Sequence, residues 1–403
     1  MMESFRNIKL NGWRQFEHID IEFDSNVTVL TGPNGCGKTT ILNVLARHFG
    51  WNINFISTPF YGSRKKEKIW TDIKKAIESD LEQPLGATEV GSIEYTNDQI
   101  CKLIVPQQTQ AQYSLKYQGQ LGITGLNIPS HRPVVSYFQI QNIPTNPKTN
   151  QQRHQEFQQL LFQTYGSDHV RNPGVVLKES LVSLALFGYG NEFVQPNAEY
   201  KLLFDQFQEI LRKILPKELG FKKLVVRVPD IVLITETGDF PLDAMSGGVS
   251  AVFLMAWQIH TFGAEKDGCT VIIDEPENHL HPKMQREFLV LLRDAFPKYK
   301  FIVSTHSPFI VSSDPTAKVY GLIFENKKVV SKHIMQADLA GSPNKILREI
   351  LDVPSTIPVW VENKIKDVLV SLEQLEGEEK ANRILDALDE LGLSDHISNI
   401  KID

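Results

Sequence analysis

The sequence is poor in several things, and each shortage excludes a class of protein. Only three cysteines occur in 403 residues, Cys36, Cys101 and Cys269. They are odd in number and far apart, which fits neither a disulfide framework nor a zinc knuckle. No stretch of about 18 uninterrupted apolar residues is present, so no membrane-spanning helix is expected. The amino terminus, Met1-Met2-Glu3-Ser4-Phe5-Arg6, lacks the apolar core of a signal peptide and points to the cytoplasm. No repeat recurs at a fixed period, and no heptad run is long enough for a coiled coil. What is there is ordinary: 41% hydrophobic and 22% charged residues exclude disorder as the dominant state. The length suggests two or three domains at roughly 150 residues each.

Charge is unevenly placed. Against 42 bases stand 48 acids, and the segment from Val361 to Asp403 alone holds eleven acids and five bases, which accounts for the whole excess. The run from Arg64 to Lys75 has six bases (Arg64, Lys65, Lys66, Lys68, Lys74, Lys75) against Glu67 and Asp72. It reads either as a solvated face or as a patch for nucleic acid.

Patterning gives an α/β chain. Phe5 to Leu10 and Phe16 to Phe23 alternate as half-buried antiparallel strands do, and Asn26 to Thr31 is a short apolar run entering a glycine loop. A helix is expected from Thr40 to Phe49, a small sheet with one helix between Ser57 and Gly125, and a strand at Val134 to Ile140. The stretch from Gln139 to Gln163 is glutamine-rich and polar, with Pro144 and Pro147 as breakers. Helices are expected at Val175 to Phe187, Tyr200 to Leu215, Val249 to Phe262 and Pro282 to Phe296. Val225 to Val228 with Ile231 to Thr235 reads as a hairpin, and Thr270 to Ile273 and Phe301 to Ser304 as buried strands. From Ser342 the tail is mostly helical, broken at Pro354 and Pro358.

Four short segments carry chemistry. Gly32-Pro33-Asn34-Gly35-Cys36-Gly37-Lys38-Thr39, followed by Thr40, matches the phosphate-loop pattern G-x-x-x-x-G-K-[ST] between a strand and a helix. The glycines let backbone N–H groups turn inward around phosphate oxygens, Lys38 reaches the β- and γ-phosphates, and Thr39 is placed to ligate Mg²⁺. Cys269 to Glu275 is an apolar strand ending in two carboxylates. In phosphate-loop enzymes the first, Asp274, holds Mg²⁺ directly or through water, and the second, Glu275, can orient the attacking water. Ser246-Gly247-Gly248 opens a helix 28 residues before Asp274 and offers a second anion site at a helix N-terminus. Phe301 to Pro308 delivers His306 from a strand 32 residues after Asp274, suited to a hydrogen bond with the γ-phosphate.

In this order the set resembles an ABC-type ATPase head. Asp274-Glu275-Pro276-Glu277-Asn278-His279-Leu280-His281-Pro282 and Ser304-Thr305-His306-Ser307-Pro308-Phe309 are similar to the RecF, SMC and OLD branch, over about residues 1–60 and 225–325. The resemblance implies a phosphate-loop core sheet plus an antiparallel β subdomain, with an inserted, mostly helical lobe and a helical tail. It divides the chain into 1–139 and 220–340 as the head, 140–219 as the lobe and 341–403 as an acidic tail that could dock a partner. It implies ATP and Mg²⁺ as cofactors, Glu275 as general base and His306 as switch residue. Ser246 and Gly248 would contact the γ-phosphate bound by a second subunit, and Glu277 to His281 would cross that interface as the D-loop, which accounts for His279 and His281 better than a zinc site does. Gln139 or Gln141 would be the Q-loop glutamine, and Trp13 or Arg14 would flank the adenine. The family's signature usually ends in glutamine where this chain has Val249, a departure that weakens cross-dimer contacts or turnover.

The 97 residues after His306 hold no spaced acidic triad, so no nuclease activity is expected from this chain alone. A head with a small lobe and no effector resembles the ATPase halves of bacterial anti-phage modules of the Septu and PARIS kinds, which pair with a separate nuclease. The alternatives are an ATP-held scaffold with negligible turnover, and a RecF-like repair ATPase that binds DNA through the Arg64–Lys75 run.

Overall fold

Val27–Thr31, Thr270–Asp274 and the apolar part of Lys300–Thr305 are buried at almost every position. Strands without a polar face belong in the middle of a sheet covered on both sides, and that is where the computed structural model puts them. It describes residues 3–61, 68–73, 86–106, 110–132, 137–164, 173–263, 266–341, 343–351, 353 and 358–363, with a few positions between 367 and 390.

Among the described residues eleven strands form one sheet. One half is antiparallel: Lys116–Gln118, Ile100–Val105, Thr88–Tyr95, Phe5–Trp13 and Phe16–Glu22. Lys328–Ile334 joins the last of these in parallel and turns back into Lys318–Glu325. From there Lys318–Glu325, Val27–Thr31, Lys300–Thr305, Thr270–Asp274 and Gly125–Ile128 all run parallel. Register brings the carboxyl ends level, with Thr31 opposite Thr305 and Ser304 opposite Asp274. Ligands of such sheets bind beyond those ends.

Successive side chains of a strand point to opposite faces, so the sheet separates two cores. Val271, Ile273, Phe301 and Val303 face a helical layer, while Ile272 and Ile302 face the Lys38–Ala46 helix and the antiparallel half. The helical layer comprises Pro173–Tyr189, Ala198–Ile214, Gly247–Gly263 and Phe288–Ala295. Ala198–Ile214 shows why it is a helix. Its buried residues Tyr200, Leu203, Phe204, Phe207, Leu211 and Ile214 recur at helical spacing, Asn197 caps it by accepting from the Tyr200 N–H, and Arg212 and Lys213 close its last turn. Phe207 stands edge-on to Phe253 and Trp257, with ring centres 5.2 and 5.1 Å apart, so the helical part of 140–219 shares one core with the sheet.

Four local expectations change. The strand expected at Val134–Ile140 is absent over its described residues 137–140, because the Phe138 carbonyl bonds the Lys178 ammonium and no ladder; the sheet's outer strand on this side is Gly125–Ile128. The glutamine-rich stretch contains the helix Asn150–Thr164. Its inward face is Arg153, His154 and Phe157, which hides the apolar period, although Thr149 and Gln152 form a capping box at its start. The helix expected from Pro282 to Phe296 is two, Pro282–Gln285 and Phe288–Ala295, interrupted where Glu287 adopts φ −112°. Lys318–Glu325 and Lys328–Ile334 form a hairpin unforeseen from the pattern, whose two-residue turn puts Asn326 and Lys327 at positive φ. Of the Arg64–Lys75 run, only the backbone of Lys68–Thr71, with Asp72 and Ile73, lies within the described residues. Most of the acidic tail lies outside them. No helix among the described residues is long and apolar enough to cross a membrane.

Three histidines, His48, His154 and His260, are buried, and burial pushes each down to about 4. The folded chain therefore binds fewer protons than the unfolded chain between those values and about 6.5. Their stabilisation is complete above the unfolded value and is lost as pH falls toward 4, by up to about 1.4 kcal/mol per pH unit for each. Thermal melts at pH 7, 6 and 5 are expected to show a steep fall in Tm, which His260→Gln makes shallower.

Candidate functional site

The strand Val27–Thr31 runs straight into the glycine loop. Gly32, Gly35 and Gly37 adopt φ of 144°, 80° and 99°, a region that L side chains avoid. Two of them are also crowded. A Cβ on Gly32 would lie 2.3 Å from the Leu322 carbonyl oxygen, and one on Gly37 would meet the Gln15 amide at 2.4 Å and the Phe16 ring at 2.5 Å. Gly37 precedes the Lys38–Ala46 helix, whose N-terminus has no side-chain cap. Its first N–H groups are thus presented to an anion, as phosphate binding requires. Pro33, Asn34 and Cys36 fill the loop between the glycines; Cys36 is buried, with its Sγ 3.9 Å from the Lys38 ammonium, and burial raises its thiol. Lys38 is itself buried and donates to the carbonyls of Gly32 and Pro33 at 2.8 and 3.2 Å, which aims its charge along the loop.

The level strand ends put the next groups alongside. The Thr39 hydroxyl donates to Asp274 Oδ2 at 2.9 Å, and the Ser304 hydroxyl donates to Asp274 Oδ1. Asp274 is buried, which raises its carboxyl, while those two hydrogen bonds pull it back down. A threonine hydroxyl against a carboxylate is an all-oxygen donor pair, of the kind a hard divalent cation prefers.

Glu275 holds φ 48°, uncommon for a side chain of its size, and its backbone is fixed from two sides. Its N–H donates to the Ser304 carbonyl at 2.9 Å, and its own carbonyl accepts from Arg132 at 3.1 Å. The Asn278 amide donates to Glu275 Oε2 at 3.3 Å. His306 Nδ1 stands 3.4 Å from Glu275 Oε1 and 3.4 Å from Glu277 Oε1. Glu277 Oε1 also accepts from the Thr305 hydroxyl at 2.7 Å and from the His306 N–H at 2.9 Å. The structure thus brings together Gly32 to Thr39, Asp274, Glu275 and His306 at the ends of three adjacent strands.

Other expectations divide. Glu277 is buried and faces His306, so it orients the histidine and does not lie on an exposed D-loop surface. Trp13 is fully buried, with its indole N–H donating to the Tyr113 hydroxyl, which leaves no ring face for an adenine. Arg14 is partly exposed, lies over the Phe55 ring and pairs with the buried Asp72 at 3.4 Å. Thr40 follows Thr39 in the first turn of the helix. Gln139 and Gln141 are exposed, next to Phe138, which Lys178 binds. Ser246 is exposed, its carbonyl accepts from the Ser250 N–H, and Gly247 begins the long helix. A Cβ on Gly248 would lie 2.8 Å from the His279 carbonyl oxygen, so the turn packs directly on the loop after Asp274. With His279, His281 and Val249 it lines a cavity of about 610 Å³ that no residue of 32–39 lines.

One functional neighbour escaped the sequence reading, Arg132, whose guanidinium donates to the carbonyls of Asp274 and Glu275 at 3.0 and 3.1 Å; Asn278 and Ser304 stood in the quoted motifs without their contacts to Glu275 and Asp274. Ser130-His131-Arg132 directly follows the outer parallel strand, and locating that strand at Gly125–Ile128 would have pointed to it.

This fold and site define an ATPase of the ABC-head kind. The chain belongs to the AAA domain family, whose AAA_23 model matches residues 7–219. A second AAA-domain model, AAA_21, whose description names the AbiEii toxin and type IV TA systems, matches residues 166–312. The Septu protein PtuA of Bacillus thuringiensis is 22% identical, over 98% of this chain and 94% of its own length. The OLD nuclease of Thermus scotoductus is 25% identical, over 75% of this chain and 59% of its own length. Among solved structures, the Smc head domain of Pyrococcus furiosus bound to the C-terminal domain of ScpA covers 87% of this chain and all of its own, at 16% identity and a TM-score of 0.45. The protein binds nucleotide and hydrolyses ATP.

Proposed function

We propose that the ATPase closes head to head on a second copy around ATP, and that hydrolysis reopens it to hold or release a separate effector, a nuclease, in an anti-phage module. The observation that carries the reading is the separation within one chain. Ser246 to Gly248 open a helix, with Ser246 and Gly247 exposed and Gly248 half-buried, and line a cavity distinct from the phosphate loop that needs such a turn. A second subunit supplies it, so each nucleotide is sandwiched. The defence role is supported by the relation to the Septu protein PtuA along almost the whole chain. In this reading 1–139 and 220–340 are the head, and the helical 140–219 and the acidic 341–403 offer surfaces to the effector.

At the site, Lys38 and the loop N–H groups hold the β- and γ-phosphates. Thr39 and Asp274 would hold Mg²⁺, which neutralises charge on the transferring phosphoryl group. Glu275, fixed by Ser304, Arg132 and Asn278, accepts the proton of the attacking water. His306, oriented by Glu277, donates to the γ-phosphate.

Sedimentation with ATP and Mg²⁺ tests the dimer. The wild type is expected to shift from monomer to dimer, and Ser246→Arg to remain monomeric while binding ATP with unchanged affinity. A wild type that binds ATP and stays monomeric, or a Ser246→Arg variant that still dimerises, overturns the reading. If turnover is undetectable while ATP still holds the dimer, the protein acts as an ATP-held scaffold, a role that Val249 in the signature would favour.

A further inference from the structure

A buried lysine outside the nucleotide site takes no part in the chemistry above. Lys178, in the Pro173–Tyr189 helix, has a side chain only 1% exposed. Its ammonium bonds Asp230 and Asp243 at 2.5 Å each and the Phe138 carbonyl at 2.7 Å, and it lies 5.2 Å from the centre of the Tyr137 ring. Those partners come from three separate stretches of chain. Asp230 begins the second strand of the Phe221–Arg227 and Asp230–Thr235 hairpin. Asp243 lies three residues before Ser246, in the short turn Leu242–Ala244. Phe138 lies six residues after Arg132, which binds the carbonyls of both Asp274 and Glu275. The lysine thus joins Tyr137 and Phe138, which follow Arg132 in the chain, to the entry of the serine–glycine turn.

The charges show that the cluster is poised. One ammonium faces two carboxylates, and Asp243, whose side chain is 3% exposed, has its other oxygen, Oδ1, buried without a hydrogen-bond partner among the described residues. Buried charge is costly unless paired, and among the described residues the cation paired with Asp243 is Lys178. A purely packing role would be filled more cheaply by an apolar residue of similar volume.

We propose that Lys178 is a positioning residue of the ATPase: by clamping Phe138, Asp230 and Asp243 together it makes the Ser246–Gly248 turn move with the segment that carries Arg132, so that the turn registers what is bound at the phosphate loop. This rests on the reading of that turn as a phosphate-contacting element, and the ATP-bound dimer that Glu275→Gln accumulates in that reading is followed separately by sedimentation.

The test uses the full chain with Glu275→Gln to retain ATP, and follows hydrogen exchange at residues 32–40, 137–138 and 241–250 with and without ATP and Mg²⁺. With Lys178 present, ATP is expected to slow exchange in all three segments. Lys178→Met is expected to keep the slowing at 32–40 and to lose it at 241–250. Because stranded carboxylates can destabilise the single variant, Lys178→Met combined with Asp243→Asn provides a second arm, expected to melt like the parent and still lack the response at 241–250. Without Glu275→Gln, the double variant is expected to lose roughly tenfold or more in kcat at a KM for ATP within about twofold. A folded variant lacking Lys178 that keeps the response at 241–250, or keeps its kcat, overturns the proposal. Sedimentation of the same samples reports separately on dimerisation, so failure of the sandwich and failure of the clamp are told apart.

Discussion

Glu275→Gln is expected to lower steady-state phosphate release by roughly a hundred- to ten-thousandfold, the span that general acid–base groups contribute. Affinity for ATP should hardly change, because the amide keeps the size and the Asn278 contact of the carboxylate and loses only its basicity. The backbone explains why no neighbour can substitute. Glu275 sits at φ 48° with its N–H on Ser304 and its carbonyl on Arg132, so its side chain leaves the strand end in one direction. Asp274, one residue earlier, is engaged by Thr39 and Ser304 and cannot turn toward the water. Glu277 is occupied by Thr305 and His306. Phosphate release measured beside equilibrium ATP binding decides the matter. Turnover within a factor of ten of wild type would remove Glu275 from the role of base. In the sandwich reading the same variant accumulates as an ATP-bound dimer.

Gly32→Ala is expected to be the most damaging methyl group that the nucleotide site can receive. At φ 144° an alanine is strained before it meets anything, and its Cβ would then lie 2.3 Å from the Leu322 carbonyl oxygen. That oxygen belongs to the neighbouring parallel strand, paired through Gly321 with Thr31, so it cannot swing aside as a side chain would. Strain and overpacking together are expected to cost about 3 kcal/mol, and the loop that yields should lose ATP binding by at least tenfold. Gly35→Ala is the comparison: its φ of 80° carries strain, but nothing lies within 4 Å of the added Cβ. It should be milder in both unfolding midpoint and ATP affinity. Equal losses at the two positions would show that φ alone, and not the Leu322 contact, governs the loop.

Much of the site was legible because its residues are local. Gly32 to Thr39 is a continuous motif whose function resides in the backbone it permits, and Asp274-Glu275 follows a strand recognisable from the apolar run Val271-Ile272-Ile273. The difficult parts were those whose pattern is masked by another use of the same side chains. Asn150–Thr164 turns Arg153 and His154 inward, so a composition that reads as solvated loop is a packed helix. Phe138 is apolar and lies in a strand-like run, yet its carbonyl is claimed by Lys178. Trp13, expected beside the adenine from the resemblance, is buried with its indole N–H donating to Tyr113, a hundred residues on.

The sequence by itself determined the class of fold, the phosphate loop, the two carboxylates and the histidine, since each depends on neighbours within a few positions. Only the tertiary structure decided which groups fix Glu275, where Glu277 points and what compensates Asp243. Those answers come from Arg132, Ser304 and Lys178, residues remote in the chain that meet only when parallel strands align their ends and helices pack against one face. A buried charge must find its partner wherever the fold delivers one, and local spacing carries no record of that meeting.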